Sequence, residues 1–111
     1  MSKTVIEEVK EQLNNENNGY KTLIIRVSDM SFWAFDKIER KLYYFCFIAT
    51  DIEEQSTNIY MGMADYRTGE YAEFSVPLTE FYKIRSGRGT IEFAEKYIEK
   101  FKNEDNKMII K

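Results

Sequence analysis

Two groups of side chains in this chain have types and spacing that could do chemistry. The first is acidic. Between Asp51 and Tyr82 stand seven carboxylates, Asp51, Glu53, Glu54, Asp65, Glu70, Glu73 and Glu80, against a single base, Arg67. That stretch carries −6 in a chain whose net charge is −3, and residues 81–111 carry +3. Alternate residues on one face of a strand lie ~6.8 Å apart, a spacing comparable to that of successive phosphates along a nucleic-acid strand. Carboxylates so arranged can imitate a nucleic-acid backbone and attract a basic partner. The second group is Arg85-Ser86-Gly87-Arg88-Gly89-Thr90. Glycines let a backbone approach an anion, N–H groups at a helix start point toward it, and arginines add charge. The alternative site is therefore anion binding by Arg85, Arg88, Gly89 and Thr90, for a phosphate ligand or RNA. No lysine follows at P-loop spacing.

Other chemistries are excluded by what is missing. The chain has no histidine and one cysteine, Cys46. Ser-His-Asp and Cys-His nucleophiles are impossible, as are Cys/His zinc sites. Glu53 and Glu54 point apart in an extended chain, which disfavours a glycosidase pair. The reading is of a protein that is not an enzyme, with no catalytic residues, no metal and no cofactor.

At 111 residues, with 43% hydrophobic and 15% aromatic content, the chain is expected to form one domain, 1–111, with a packed core. Its longest apolar run, Leu42 to Ala49, is eight residues, too short for a membrane span. The charged start, Lys3, Glu7, Glu8 and Lys10, is unlike a signal peptide. With a lone cysteine, this points to a cytoplasmic protein.

The elements that must position the charged groups follow from periodicity. Residues 4–14 read as a helix, with Thr4 and Glu7 at capping-box spacing and an apolar stripe at Val5 or Ile6, Val9 and Leu13. Strands are expected at 21–28, 31–37, 42–50, 57–66 and 71–76. The third is apolar on both sides, which predicts a central strand covered on each face. In the fourth, Ile59, Met61 and Met63 oppose Tyr60, Gly62, Ala64 and Tyr66. In the fifth, Ala72, Phe74 and Val76 point inward and Tyr71, Glu73 and Ser75 outward. A short turn capped by Thr79 is expected over 79–85. A helix over 91–102 follows, with Thr90 as N-cap and a stripe of Ile91, Ala94, Ile98 and Phe101. Met108–Ile110 reads as a short edge strand or a fraying tail. The fold class is α+β: an N-terminal helix, an antiparallel meander of about five strands, and a C-terminal helix packed on the sheet.

Tyrosines Tyr60, Tyr66 and Tyr71 on the outward side of such a sheet can anchor a protein contact. Base stacking normally comes with a basic groove, so direct nucleic-acid binding is disfavoured and a protein partner favoured. The expected contact set is Asp51, Glu53, Glu54, Asp65, Glu70 and Glu73 with Tyr60, Tyr66 and Tyr71.

Two segments carry a resemblance. Leu23-Ile24-Ile25-Arg26-Val27, after the N-terminal helix, and Glu95-Lys96-Tyr97-Ile98-Glu99-Lys100-Phe101-Lys102-Asn103 together span 14 of 111 residues. They resemble the small phage-encoded anti-CRISPR inhibitors that block the RNA-guided nuclease of type II CRISPR systems. The resemblance implies a non-catalytic, acidic α+β protein in the host-cell cytoplasm that occupies a basic, DNA-binding groove of a nuclease. It assigns that role to Asp51, Glu53, Glu54, Asp65 and Glu70. This chain departs from the pattern in holding its acids in the meander and in the lysines Lys107 and Lys111 of its tail.

Overall fold

The computed structural model describes residues 3–15, 19–48 and 57–109. Helix α1 (Val5–Asn15) precedes β1 (Thr22–Ser28), β2 (Ser31–Asp36), β3 (Lys41–Ile48), β4 (Asn58–Asp65) and β5 (Glu70–Pro77). Then come a short helix α2 (Leu78–Phe81), a 3₁₀ turn (Tyr82–Arg85), α3 (Gly87–Lys102) and β6 (Met108–Ile109). The six strands form one antiparallel sheet in chain order, β1-β2-β3-β4-β5-β6. The architecture is α+β, as expected, with one strand more than the five anticipated. The tail supplies it: Tyr71 pairs with Met108 and Glu70 with Ile109.

Two of the hairpins share one turn device. Asp36 Oδ1 accepts from the backbone N–H of Ile38 (2.9 Å) and Glu39 (3.1 Å), and Arg40 turns the chain at φ 57°. Asp65 Oδ1 accepts from Arg67 (2.8 Å) and Thr68 (3.2 Å), and Gly69 turns at φ 76°. In each case a carboxylate satisfies two turn donors and a left-handed residue four positions later closes the loop.

The sheet has two unequal faces. On one, Phe32, Ala34, Tyr43, Phe45, Phe47, Ile59, Met61, Met63, Ala72 and Val76 are buried beneath α3, which contributes Phe93, Ala94, Tyr97, Ile98 and Phe101. Phe32 stacks on Phe45 with ring centroids 4.7 Å apart, and Phe93 on Tyr97 at 4.5 Å. On the other face α1 lays Val9, with Val5, Ile6 and Leu13, against Leu23, Phe35 and Leu42. The N–H of Glu7 donates to Thr4 Oγ1 (3.2 Å), the backbone half of the expected capping box.

Three local expectations are corrected. First, β3 is not covered on both sides: Tyr43, Phe45 and Phe47 are buried, whereas Tyr44, Cys46 and Ile48 are half-buried. Helix α1 packs on β1, β2 and Leu42 at the start of β3, so among the described residues no helix covers that side of β3 beyond Leu42. Second, α3 begins at Gly87 with Ser86 as its N-cap, the Ser86 hydroxyl accepting from Gly89 N–H (3.0 Å). Thr90 is fully buried one turn later, its hydroxyl within 2.8 Å of the Ile84 carbonyl and 2.7 Å of the Ser86 carbonyl. Third, Thr79 does not cap the preceding turn. Pro77 stands at the N-cap of α2, where its fixed φ of −58° makes the corner without a side-chain bond.

The close seating of α3 on the 3₁₀ turn leaves no room for a side chain at Gly89, where a Cβ would collide with the Lys83 carbonyl. Gly89→Ala is therefore expected to lose about 2 kcal/mol of stability or more, read as a lower urea midpoint. A second fastening joins α2 to α3. The Tyr97 hydroxyl donates to Glu80 Oε2 (2.7 Å) and Lys96 pairs with Glu80 Oε1. Those bonds, Lys96 first and Tyr97 second, hold the Glu80 carboxyl below its usual 4.5. Because the native value is the lower one, Glu80 contributes stability that is complete above about pH 4.5 and is lost as pH falls through the native value. Urea unfolding from pH 7 to pH 3 is expected to show that loss, and Glu80→Gln to flatten the slope in the acid range.

Candidate functional site

Alternation along the strands assembles a second surface from the residues that α3 does not cover. Register places Ile25 opposite Trp33, Trp33 opposite Tyr44, Tyr44 opposite Ala64, and Ala64 opposite Tyr71. The next row runs Ser31, Cys46, Gly62, Glu73, and the row beyond it Ile48, Tyr60, Ser75. The α1 core on this side takes in β1, β2 and Leu42 at the start of β3, so among the described residues no helix lies over the rest of β3 or over β4 and β5.

This open face is aromatic and shallow. Trp33 packs on Tyr44 (centroids 4.7 Å apart) and meets Tyr66 edge-on at 5.8 Å. Tyr66, 53% exposed, extends that cluster toward the β4–β5 turn, and Tyr60, 54% exposed, stands at the opposite end. Between them Gly62, which has no side chain, is buried. The Tyr71 ring lies across it, so close that a Cβ on Gly62 would fall 2.6 Å from the hydroxyl. The Tyr71 hydroxyl donates to Glu73 Oε1 (2.8 Å). Burial, and then that bond, push the Tyr71 phenol up to about 12, so it stays a neutral donor across the physiological range.

The structure brings together Tyr60, Tyr66, Tyr71 and Glu73 from the expected contact set. It takes Asp65 and Glu70 elsewhere. Asp65 is 4% exposed and its carboxylate serves the β4–β5 turn. It lies opposite Tyr43 on the α3 side, where burial and then the Asp65 charge raise the Tyr43 phenol above its usual range. Glu70 belongs to the α3 side by alternation and pairs with Lys107 at 3.6 Å. Glu80, the last acid of the segment, is held by Lys96 and Tyr97. Asp51, Glu53 and Glu54 lie outside the described residues. Trp33 and Ile48 join the face although no contact role was assigned to them, and Tyr44, one of the sheet tyrosines outside the expected contact set, joins it too. Their alternation with Tyr60 was a usable signal, obscured because a strand apolar on both sides reads as covered.

The Arg85–Thr90 segment has most of its groups engaged. Gly89 N–H goes to the Ser86 hydroxyl and Thr90 N–H to the Ser86 carbonyl (3.0 Å). The Arg88 side chain pairs with Glu92 (3.3 Å) one turn on, and Arg85 stacks on the Tyr82 ring at 4.9 Å. The buried Thr90 hydroxyl also accepts from Arg26 Nη2 (3.1 Å). The four residues therefore do not present one open anion cradle: Thr90 is buried, the half-buried Gly89 has its N–H spent on Ser86, and the two arginines are exposed.

Among the described residues, no group of three or more His, Cys, Asp or Glu side chains is placed to hold a metal, and no helix is long and apolar enough to cross a membrane. No protein-family model matches the chain, and neither a curated protein nor a solved structure was found to match it.

The two roles of the acidic residues separate by experiment. Asp65→Ala removes an acceptor shared by two turn N–H groups and is expected to cost about 1–2 kcal/mol of stability, seen as a lower urea midpoint. Glu73→Ala is expected to leave the midpoint nearly unchanged, since its carboxylate accepts only from an exposed-face tyrosine.

Proposed function

We propose that this chain is a small, non-enzymatic protein-binding inhibitor that covers a basic, nucleic-acid-binding surface of its partner. The observation that carries this reading is the sheet face over which no described helix lies, where Tyr44, Tyr60, Tyr66 and Tyr71 stand beside Glu73 and Trp33 marks the border with the α1 core. Tyrosine and tryptophan bury much area with few torsions to freeze, which is why they anchor interfaces. The acids of the connector, Asp51, Glu53 and Glu54, fall in sequence between Ile48 and Asn58, the residues that end β3 and begin β4. They carry −3 in the segment of sequence that joins the paired residues Ile48 and Tyr60.

The mechanism is occlusion. Aromatic side chains supply the buried centre, while carboxylates meet the basic rim, speed the encounter and exclude acidic competitors. In its finer form the partner is a nucleic-acid-binding nuclease of a bacterial defence system and the source of the chain is a phage, as the resemblance to anti-CRISPR inhibitors implies. The acid content of the open face and its connector supports a basic partner surface; Asp65, Glu70 and Glu80, held in turns and ion pairs, are left out of the contact.

The test is capture from a bacterial lysate followed by competition. The wild-type protein is expected to retain a nucleic-acid-binding protein, to release it as salt rises, and to block that protein's binding to DNA. Tyr60→Ala with Glu73→Lys on the face, and Asp51→Lys, Glu53→Lys and Glu54→Lys on the connector, are each expected to weaken inhibition by about tenfold or more. Inhibition indifferent to both sets of changes removes the reading.

A further inference from the structure

A separate cleft lies on the α3 side, at the sheet edge formed by β1. It is bounded by the β1–β2 turn and by the α2–3₁₀ segment, has a volume of about 620 Å³, and is lined by Arg26, Asp29, Met30, Phe81, Ile84 and Arg85. Ligand clefts commonly span about 300–1,000 Å³. Two of the chain's five arginines meet here, in a protein of net charge −3.

The first of them is fixed in place. Arg26 Nη2 donates to the Ile84 carbonyl (2.7 Å) and to Thr90 Oγ1 (3.1 Å), so a strand residue is tied to the start of α3. Thr90 is fully buried and Ile84 is 3% exposed, which makes both acceptors rigid. Arg85 is steadied by its stack on Tyr82. Among the described residues neither guanidinium forms an ion pair. The lining sets these two cations against one carboxylate, Asp29, and Met30, Phe81 and Ile84 supply apolar surface between them.

We propose that this cleft binds a small organic phosphate monoester with a planar body, of the purine mononucleotide class. A guanidinium held at one nitrogen keeps donors for the phosphate oxygens, and its geometry suits them better than an ammonium would. Met30 and Phe81 offer apolar contact to the flat body. Asp29 is an acceptor matched to ring N–H and amino donors, which a guanine edge presents side by side. The site does not use the Arg85–Thr90 loop as a backbone cradle. Its ligand enters from the β1 edge, independently of the open sheet face.

Amide-resolved NMR titration of the whole chain tests it, with GMP as probe and inorganic phosphate as control. GMP is expected to shift the amides of residues 26–30 and 81–90 in a saturable manner, with phosphate alone binding more weakly. Arg85 is exposed and among the described residues its side chain makes no hydrogen bond, so Arg85→Glu and Arg85→Gln are expected to keep the wild-type melting temperature and to weaken GMP binding by about tenfold or more. Absence of shifts at these amides with GMP in the millimolar range overturns the proposal. So does a response to phosphate equal to that for GMP, or GMP affinity undiminished in both variants.

Discussion

The burial of α3 across the middle of the sheet is the constraint on which the other features rest. Phe93, Tyr97 and Phe101 enter the face formed by Tyr43, Phe45, Phe47 and Phe74, and ring contacts link the two layers at several points. A long helix and a wide sheet can each hide their apolar surface this way. The arrangement uses one face of every strand from β1 to β5. Whatever the second face does is then set by α1, the other long helix among the described residues. Helix α1 is 11 residues long and packs on β1, β2 and Leu42 at the start of β3, so its reach decides where covered surface ends and open surface begins. The aromatic face of β3 to β5 is thus a consequence of two helices of different length lying on opposite sides of one sheet.

Local backbone chemistry accounts for much of the charge pattern. Asp36 and Asp65 are among the few buried polar residues, at 6% and 4% exposure, and both satisfy donors in tight turns. An Asp at that position competes well because its side chain reproduces the hydrogen bonds of a turn. Glu80, Glu70 and Glu39 each face a lysine, from α3 or the tail that follows it. The +3 of residues 81–111 and the −6 of residues 51–82 therefore partly cancel across the fold. Glu73 is the described acid of that segment that remains on the open face, bonded to a tyrosine rather than to a cation.

Legibility in the sequence followed the range of the interactions. Strand alternation in β4 and β5 was readable because Ile59, Met61 and Met63, and again Ala72, Phe74 and Val76, repeat every second residue toward one core. The α3 stripe was readable for the same reason at a period of 3.6. The start of α3 was misplaced by about a turn, because Thr90 has the type of an N-cap but its hydroxyl bonds backward to Ile84 and Ser86 within a buried corner. Ser86, equally plausible by type, holds the position because its side chain meets Gly89 N–H where the chain leaves the 3₁₀ turn. The doubly apolar β3 was readable as central but not as half-covered. Its uncovered side is a property of where α1 lies.

Taken by itself, the order of residues determined the elements, the antiparallel meander and the absence of histidine chemistry, because periodicity, turn residues and side-chain type are local quantities. The tertiary structure alone decided which carboxylates stand free. It placed Asp65 in a turn, Glu70 beside Lys107 and Glu73 beside Tyr71, and it brought Arg26 to the same cleft as Arg85 across 59 positions of chain. Charge is written one residue at a time, whereas the field a partner or ligand meets depends on which opposite charges the folded chain has already brought within reach.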